Sequence, residues 1–167
     1  MIYQEIDGNI IELSKKGKFD VIVHGCNCFC VQKSGLAPQM VKAFQTDNFK
    51  MEAPSYKGSM NKLGAIDSKM FTMSSGVPDF RKFDLVVVNA YTQYYNKANN
   101  PQGETAINAD YEAITLCMRK LNHRFKGKHI GLPKIGAGRA GGDWNIIKSI
   151  IQKELKDCQI TIVIYNK

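Results

Sequence analysis

The sequence predicts a three-layer α/β/α fold with a mixed, mostly parallel central sheet. Apolar runs of strand length alternate along the chain with segments whose apolar residues recur at helical spacing. This alternation is typical of a parallel sheet covered by helices on both faces. The run at residues 83–88 is β-branched and almost wholly apolar, as a buried strand is.

The first half of the chain is predicted to hold four strands and two helices. The strands are expected at residues 1–6, 20–24, 64–73 and 83–88, and the helices at 10–16 and 36–44. Residues 46–63 contain few apolar residues and predict a loop with one helical turn, and residues 74–79 predict a turn.

The second half begins with a helix that Thr105 is expected to cap. Its apolar stripe has steps of four, three, four and three residues: Ile107, Tyr111, Ile114, Met118 and Leu121. A strand at 129–132 precedes a glycine-rich loop, after which Asp143 is expected to cap a last helix. A final strand is predicted at 159–165.

Composition indicates a single domain spanning residues 1–167 that we expect to be a cytoplasmic monomer. No apolar run approaches the length of a membrane span, and the first residues lack the pattern of an export signal. Five cysteines is an odd number for a disulfide framework, so reduced thiols are expected.

The net charge of +8 suits an anionic ligand or a nucleic acid. The basic residues are scattered, however, and the densest cluster at 119–128 lies where a helix is expected to end. Cations are favoured there by the helix dipole alone, so a solvated helix end is the preferred interpretation. A nucleic-acid patch is the weakly supported alternative.

Two loops that directly follow predicted strands are the main functional signal. One carries four glycines within residues 136–142 before a helix start, a pattern that lets backbone N–H groups surround a phosphate. The other, residues 25–35, is rich in small and polar residues and also leads into a helix. A plain turn between strand and helix is the alternative, but four glycines exceed what such a turn needs.

The usual nucleotide motifs do not occur in their usual places in the chain. No stretch matches the Walker A pattern, and no G-x-G-x-x-G follows the first strand. We therefore expect a diphosphate held by backbone amides and not through magnesium, with no cofactor and no metal.

The motifs together resemble the macrodomain family. They are GNI at residues 8–10, VHGCNC at 23–28 and PKIGAG at 133–138 with Trp144, in the family's order and across nearly the whole chain. The resemblance is closest to the branch of ADP-ribose-1″-phosphate phosphatases and esterase-type ADP-ribosyl hydrolases. It implies a macrodomain fold and ADP-ribose as the ligand. Small proteins of this type occur in bacteria and phages, which would place a viral member in the host cytoplasm.

The resemblance also implies which residues bind the ligand. Asn9 falls at the adenine-contacting position, where the family usually has Asp, and its carbonyl would still accept from the adenine amino group. Asn27 would contact the distal ribose, and residues 136–142 would wrap the diphosphate. The full expected binding set is Gly8, Asn9, Ile10, Asn27, Ser34, Gly35, Leu36, Ile135, Gly136, Ala137, Gly138, Arg139, Ala140, Gly141 and Tyr165, with Tyr91 a further stacking partner.

The expected catalytic residues are His24, Asn27 and Asp143. The position of His24 matches a family histidine implicated in phosphatase activity, and imidazole transfers protons near neutral pH. A core histidine bonded to backbone and a simple helix cap are the alternatives for His24 and Asp143. Some esterase-type relatives use a lysine nucleophile with an Asp in the second loop, and Ala140 at that position disfavours this chemistry.

Three alternating cysteines, Cys26, Cys28 and Cys30, suggest either packed thiols or, with His24, a zinc site. Gly25 and Asn27 interrupt the strand between them, which favours packing. Two functions therefore remain open for the chain. One is a metal-independent hydrolase acting on ADP-ribose-1″-phosphate or on ester-linked ADP-ribose, and the other is a reader module that binds ADP-ribose without turnover.

Overall fold

The computed structural model describes residues 2–76 and 80–165. These residues form six strands and four α helices: β1 (Tyr3–Asp7), α1 (Ile10–Lys15), β2 (Val21–Asn27), α2 (Ala37–Phe44), β3 (Ile66–Ser74), β4 (Lys82–Gln93), α3 (Tyr111–Arg124), β5 (His129–Leu132), α4 (Trp144–Glu154) and β6 (Gln159–Ile164). Part of the turn predicted at 74–79 lies outside the described residues. No helix within the described ranges is both long and apolar enough to cross a membrane.

The strands form one sheet in the order β1-β6-β5-β2-β4-β3. All neighbouring pairs are parallel except β3 with β4, which is antiparallel. The parallel strands therefore end at one edge of the sheet, and the mixed, mostly parallel sheet predicted from the sequence is confirmed.

Helices cover both faces of the sheet. On one face, α1 and α2 bury apolar residues against β2 and β4, among them Ile10, Ile11, Met40 and Phe44. On the other face, α3 and α4 bury Ile114, Met118, Leu121, Ile147 and Ile151 against the same sheet. These helical positions recur at steps of three and four, which is why the helices lie flat on it. The three-layer α/β/α architecture is confirmed.

The predicted start of α3 at Thr105 is wrong. The helix begins at Tyr111, because the Asp110 carboxylate accepts a hydrogen bond from the Ala113 N–H at 3.0 Å and caps it there. The residues just before are held extended, since the N–H groups of Asn108 and Ala109 both donate to the Ala140 carbonyl. Ile107 consequently lies outside the helix and is 63% exposed.

Residues 46–63 fold as short 3₁₀ helices around a buried ion pair rather than as a loop. Lys62 Nζ lies 3.3 Å from Glu52 Oε2, and both side chains are buried. Gln32 Nε2 and the Tyr91 hydroxyl also donate to this carboxylate, at 2.6 and 2.8 Å. Tyr91 is therefore a core residue, and its predicted role as a stacking partner is wrong.

Candidate functional site

A cavity of about 680 Å³ runs along the edge where the parallel strands end. Its lining follows the order of the strands across the sheet: residues 8–10 after β1, 163–165 at β6, 133–136 and 138–140 after β5, 24–27 on β2, and Gln93, Asn96 and Lys97 at and after the end of β4. The start of α2 and the loop before it close one side, with Ser34, Gly35 and Leu36. Ligands bind at this place in open α/β sheets, and the volume is that of a small-molecule site.

The two loops singled out from the sequence meet at this cavity. A Cβ placed on Gly35 would lie 3.6 Å from Cδ of Arg139, so the loop before α2 touches the glycine-rich loop. Three cationic side chains, Lys97, Lys134 and Arg139, line the cavity. Within the described ranges no aspartate or glutamate lines it. The charge of the lining thus favours an anionic ligand.

The glycines of the second loop have two different functions. Gly136 has φ +75°, and a Cβ on Gly142 would lie only 2.6 Å from the Gly136 carbonyl oxygen, so these two are needed for folding the loop. A Cβ on Gly138 would meet nothing within 4 Å, and Gly138 lines the cavity. The fold therefore does not require glycine at 138.

Asn9 lines the cavity and caps α1 at the same time. Its Oδ1 accepts from the N–H groups of Ile11 and Glu12, at 3.0 and 3.1 Å. The sequence-based expectation that this carbonyl is free to accept from an adenine amino group is therefore wrong, because the helix cap occupies it. The amide nitrogen is the polar atom that Asn9 has left to offer.

Asn27 lies in the cavity wall with its amide engaged by its own loop. Its Nδ2 donates to the Val31 carbonyl at 2.8 Å, and its Oδ1 accepts from the Phe29 N–H at 2.9 Å. These bonds shape residues 27–31 into a tight turn beside the cavity. Nδ2 carries two hydrogens, so one N–H of Asn27 remains available to a ligand sugar alongside these bonds.

His24 forms part of the cavity floor and is 2% exposed. Asn89 donates from Nδ2 to the Thr46 carbonyl, which turns its Oδ1 toward His24 Nε2 at 2.6 Å. Nε2 must therefore carry the proton, and the buried Nδ1 is an acceptor with no partner among the described groups. Burial lowers the pKa of His24 to about 4, against the opposing effect of the Asn89 hydrogen bond, so the ring is neutral at pH 7.

Asp143 caps α4 through a bond from the Asn145 N–H at 2.8 Å, as predicted, but it is not among the residues that line the cavity. Ala137 and Gly141 do not line it either, while the other expected binding residues do. Tyr165 is 59% exposed at the rim. The sequence reasoning missed Gln93, Lys97 and Lys134; of these only Lys134 carried a signal, since it lies inside the PKIGAG motif.

Two of the three clustered thiols, Cys26 and Cys28, are poorly reactive. Burial raises the pKa of Cys26 well above its usual value and that of Cys28 to about 11, so both are protonated and poorly nucleophilic at pH 7. Cys30 Sγ lies 3.2 Å from Lys62 Nζ, pointing toward the buried ion pair. The described residues contain no group of three or more His, Cys, Asp or Glu side chains placed to hold a metal ion.

Comparison with known proteins identifies relatives of the whole chain. No protein-family model matches it. A phage T4 protein, the uncharacterised 17.5 kDa protein of the tk-vs intergenic region, is 33% identical over an alignment of 171 positions. The alignment covers 98% of this chain and 96% of that protein.

Solved structures with the same fold are more distant in sequence. The macrodomain of Thermus aquaticus DarG is 20% identical with a TM-score of 0.62, and 99% of each chain is covered. Thermosipho africanus DarTG in complex with ADP-ribose is 16% identical with a TM-score of 0.62, covering 99% of this chain and 41% of that one. A Trypanosoma brucei macrodomain in complex with ADP is 11% identical with a TM-score of 0.60, covering 99% and 65%. The chain is thus a macrodomain in fold and belongs to the family of the phage T4 17.5 kDa protein.

Proposed function

We propose that this protein binds ADP-ribose derivatives and hydrolyses them, either at the terminal phosphate of ADP-ribose-1″-phosphate or at an ester-linked ADP-ribosyl group. The observation that carries the proposal is the cavity itself. Both small-residue loops line it, its lining includes three residues with cationic side chains, and no described aspartate or glutamate lines it. Two structures of similar fold hold ADP-ribose and ADP, which supports the same ligand class here.

The lining of the cavity changes along its length in a way that suits such a ligand. The end at β1 and β6 is largely apolar, with Ile10, Val163 and Tyr165. The middle, after β5, offers Gly138, Arg139 and other loop residues for a diphosphate. The end at β2 and β4 is polar, with Asn27, Gln93 and Lys97 among its residues. A base, a diphosphate and a second ribose would occupy these three regions in turn.

The groups that line this cavity would be sufficient for hydrolysis by water. Water adds to the phosphorus or carbonyl carbon, the bond to the ADP-ribose oxygen breaks, and that oxygen takes up a proton. Backbone N–H groups of the glycine-rich loop and the cationic side chains would stabilise the charge that develops on the oxygens. His24 at pH 7 could take part only as an acceptor through Nδ1, because Nε2 is committed to Asn89.

The alternative is a reader that binds ADP-ribose without turnover, and two observations favour it. Nδ1 of His24 is buried, and both polar atoms of the Asn27 side chain are already bonded within the loop. The loop also lacks a carboxylate at position 140, where this chain has Ala140, and this absence likewise favours a reader. Turnover measurements separate the two functions, since both use the same cavity.

The first prediction is that free ADP-ribose binds with a dissociation constant in the micromolar range, about −8 kcal/mol. The physical reason is the combination of loop N–H groups and cations around one cavity. Isothermal titration calorimetry measures the affinity, and thermal unfolding with excess ligand gives an independent readout. A folded protein with neither heat of binding nor thermal stabilisation would contradict the proposal.

The second prediction concerns turnover. We expect release of phosphate or ADP-ribose at the same rate with and without EDTA, tested on ADP-ribose-1″-phosphate and on ADP-ribosylated protein and nucleic acid. His24→Ala should lower the rate by about two to four orders of magnitude with little change in affinity, as for a general base. Asn27→Ala should damage both quantities. Asp143→Asn retains the helix cap and isolates any contribution of that carboxylate.

Each contrary result has a definite meaning. An active His24→Ala variant would return His24 to the core and leave Asn27, Asp143 and a substrate-bound water to carry catalysis. A rate lost in EDTA would revive a zinc site at Cys26, Cys28 and Cys30. Tight binding with no turnover of any substrate would identify a reader.

We further propose that residues 1–167 act as a single macrodomain, as a monomer, in the cytoplasm. The phage T4 relative supports the host cytoplasm as the place of action. Sedimentation of the purified protein tests the monomer, and a dimer mass would exclude it.

A further inference from the structure

The apolar end of the cavity is the place for a nucleobase, an assignment that rests on the proposed function. The cavity crosses five neighbouring strands, β1 to β4 in sheet order, which is a span on the order of 19 Å. Arg139 and the glycine-rich loop occupy its middle, and Lys97 lies at the polar end. The β1–β6 end combines Ile10, Val163 and the exposed ring of Tyr165, so a planar base is better accommodated there than at the polar end.

Asn9 is the polar side chain on the β1 segment of this end, and its amide orientation is fixed. Two backbone N–H groups, of Ile11 and Glu12, point at Oδ1, and an amide nitrogen cannot accept hydrogen bonds. A flipped amide would therefore place donors against donors. Asn9 lines the cavity and its Oδ1 is occupied by the cap, so Nδ2 is the donor that this side chain has to offer a ligand. The N–H of Ile10, at the first position of α1, is a second donor that the cap does not use.

Purine bases differ in what they offer to such donors. A 6-oxopurine presents two neighbouring acceptors, O6 and N7, whereas adenine presents the acceptor N7 beside the donor 6-amino group. A donor at Asn9 is thus complementary to the oxygen and opposes the amino group.

We propose that Asn9 is a specificity-determining residue and that this cavity prefers a 6-oxopurine nucleotide diphosphate sugar over its adenine counterpart. Adenine still binds through N7 and the diphosphate, so ADP-ribose remains a ligand. One hydrogen bond gained and one donor clash removed correspond to a preference of about 3- to 10-fold.

The experiment compares ADP-ribose with inosine 5′-diphosphoribose by calorimetry, because the two ligands differ only at the purine 6 position and its coupled N1 proton. The wild-type protein should bind the inosine form about 3- to 10-fold more tightly. Asn9→Asp should reverse the order, since one carboxylate oxygen keeps the cap and the other accepts from the adenine amino group. Asn9→Ser keeps a cap without an amide donor and should abolish the preference.

Asn96→Asp is a matched control at the opposite end of the cavity. Asn96 Oδ1 also accepts from two backbone N–H groups, of Ala98 and Asn99, and an aspartate preserves that turn while adding the same charge. It should weaken both ligands equally and leave their ratio unchanged.

The possible outcomes separate the inference from the function on which it rests. Failure of both ligands to bind the folded wild-type protein would overturn the proposed function. Binding of both with ADP-ribose preferred, or an unchanged ratio in Asn9→Asp, would overturn the inference alone. Thermal unfolding of each variant without ligand confirms that the cap at α1 survives.

Discussion

His24 shows at the scale of one residue how burial sets chemistry. Its pKa lies near 4 because the folded protein buries the ring away from water, whereas an unfolded chain gives histidine a pKa of about 6.5. Between these two values the unfolded chain binds a proton that the folded protein excludes. The neutral ring therefore contributes stability above pH 6.5, and that contribution is lost as the pH falls toward 4.

The third prediction follows from this difference. Lowering the pH from 7 to 4 should remove about 3 kcal/mol from the free energy of unfolding through His24 alone, because each pKa unit corresponds to about 1.4 kcal/mol. His24→Gln should lack this component. Urea unfolding at several pH values measures it as the wild-type loss minus the variant loss.

The subtraction also cancels the contributions of other groups that take up protons between pH 7 and pH 4. Burial lowers the pKa of His129 as well, but both proteins retain His129, so its contribution cancels. If the free energy of unfolding fell equally with pH in the two proteins, His24 would not be the group that the folded protein keeps unprotonated.

The glycine-rich loop is the element on which the proposed binding of a diphosphate rests most directly. It connects β5 to α4, and its folding is fixed by the close contact of Gly142 with Gly136 and by packing of Gly136 against Ile114 and Ile147. Gly138 takes no part in these contacts. The loop thus separates positions that hold its shape from a position that leaves room for a ligand.

The fourth prediction tests this separation. Gly138→Glu should abolish ADP-ribose binding and leave the fold intact, because the side chain fills the diphosphate region and adds like charge to it. Gly138→Ala is the size control and should reduce affinity modestly. Calorimetry gives the affinities, and circular dichroism with thermal unfolding checks the fold. Normal binding by folded Gly138→Glu would place the diphosphate elsewhere.

At the scale of the whole molecule, the layered fold and the place of the cavity were predictable from the sequence. Buried strands such as β2 and β5 are short apolar runs, and the face of α4 repeats at helical spacing, so local pattern is sufficient for them. The end of a strand followed by glycines then locates the ligand site. These features depend on neighbours in sequence.

The features that the sequence did not reveal depend on distant neighbours. A lysine such as Lys62 is expected from its local sequence to be a solvated charge. It is buried instead, because its ammonium forms an ion pair with Glu52 and lies over the ring of Tyr91. Thr105 looks like a helix cap, but Asp110 caps better once the residues before it pair with Ala140. The engaged oxygen of Asn9 likewise becomes visible only with α1 in place.

The pairing of β1 with β6 has a consequence for the order of events in biosynthesis. Ile160 donates to the carbonyl of Ile2, and Gly8 to that of Ile164, so β1 has its partner in residues made more than 150 positions later. Such distant contacts form slowly. A nascent chain can assemble β2, β3 and β4 early, but residues 8–10 acquire their final surroundings only when residues 159–165 have emerged from the ribosome. The β1–β6 end of the cavity is thus completed only after residues 8–10 have waited for more than 150 further residues to be made.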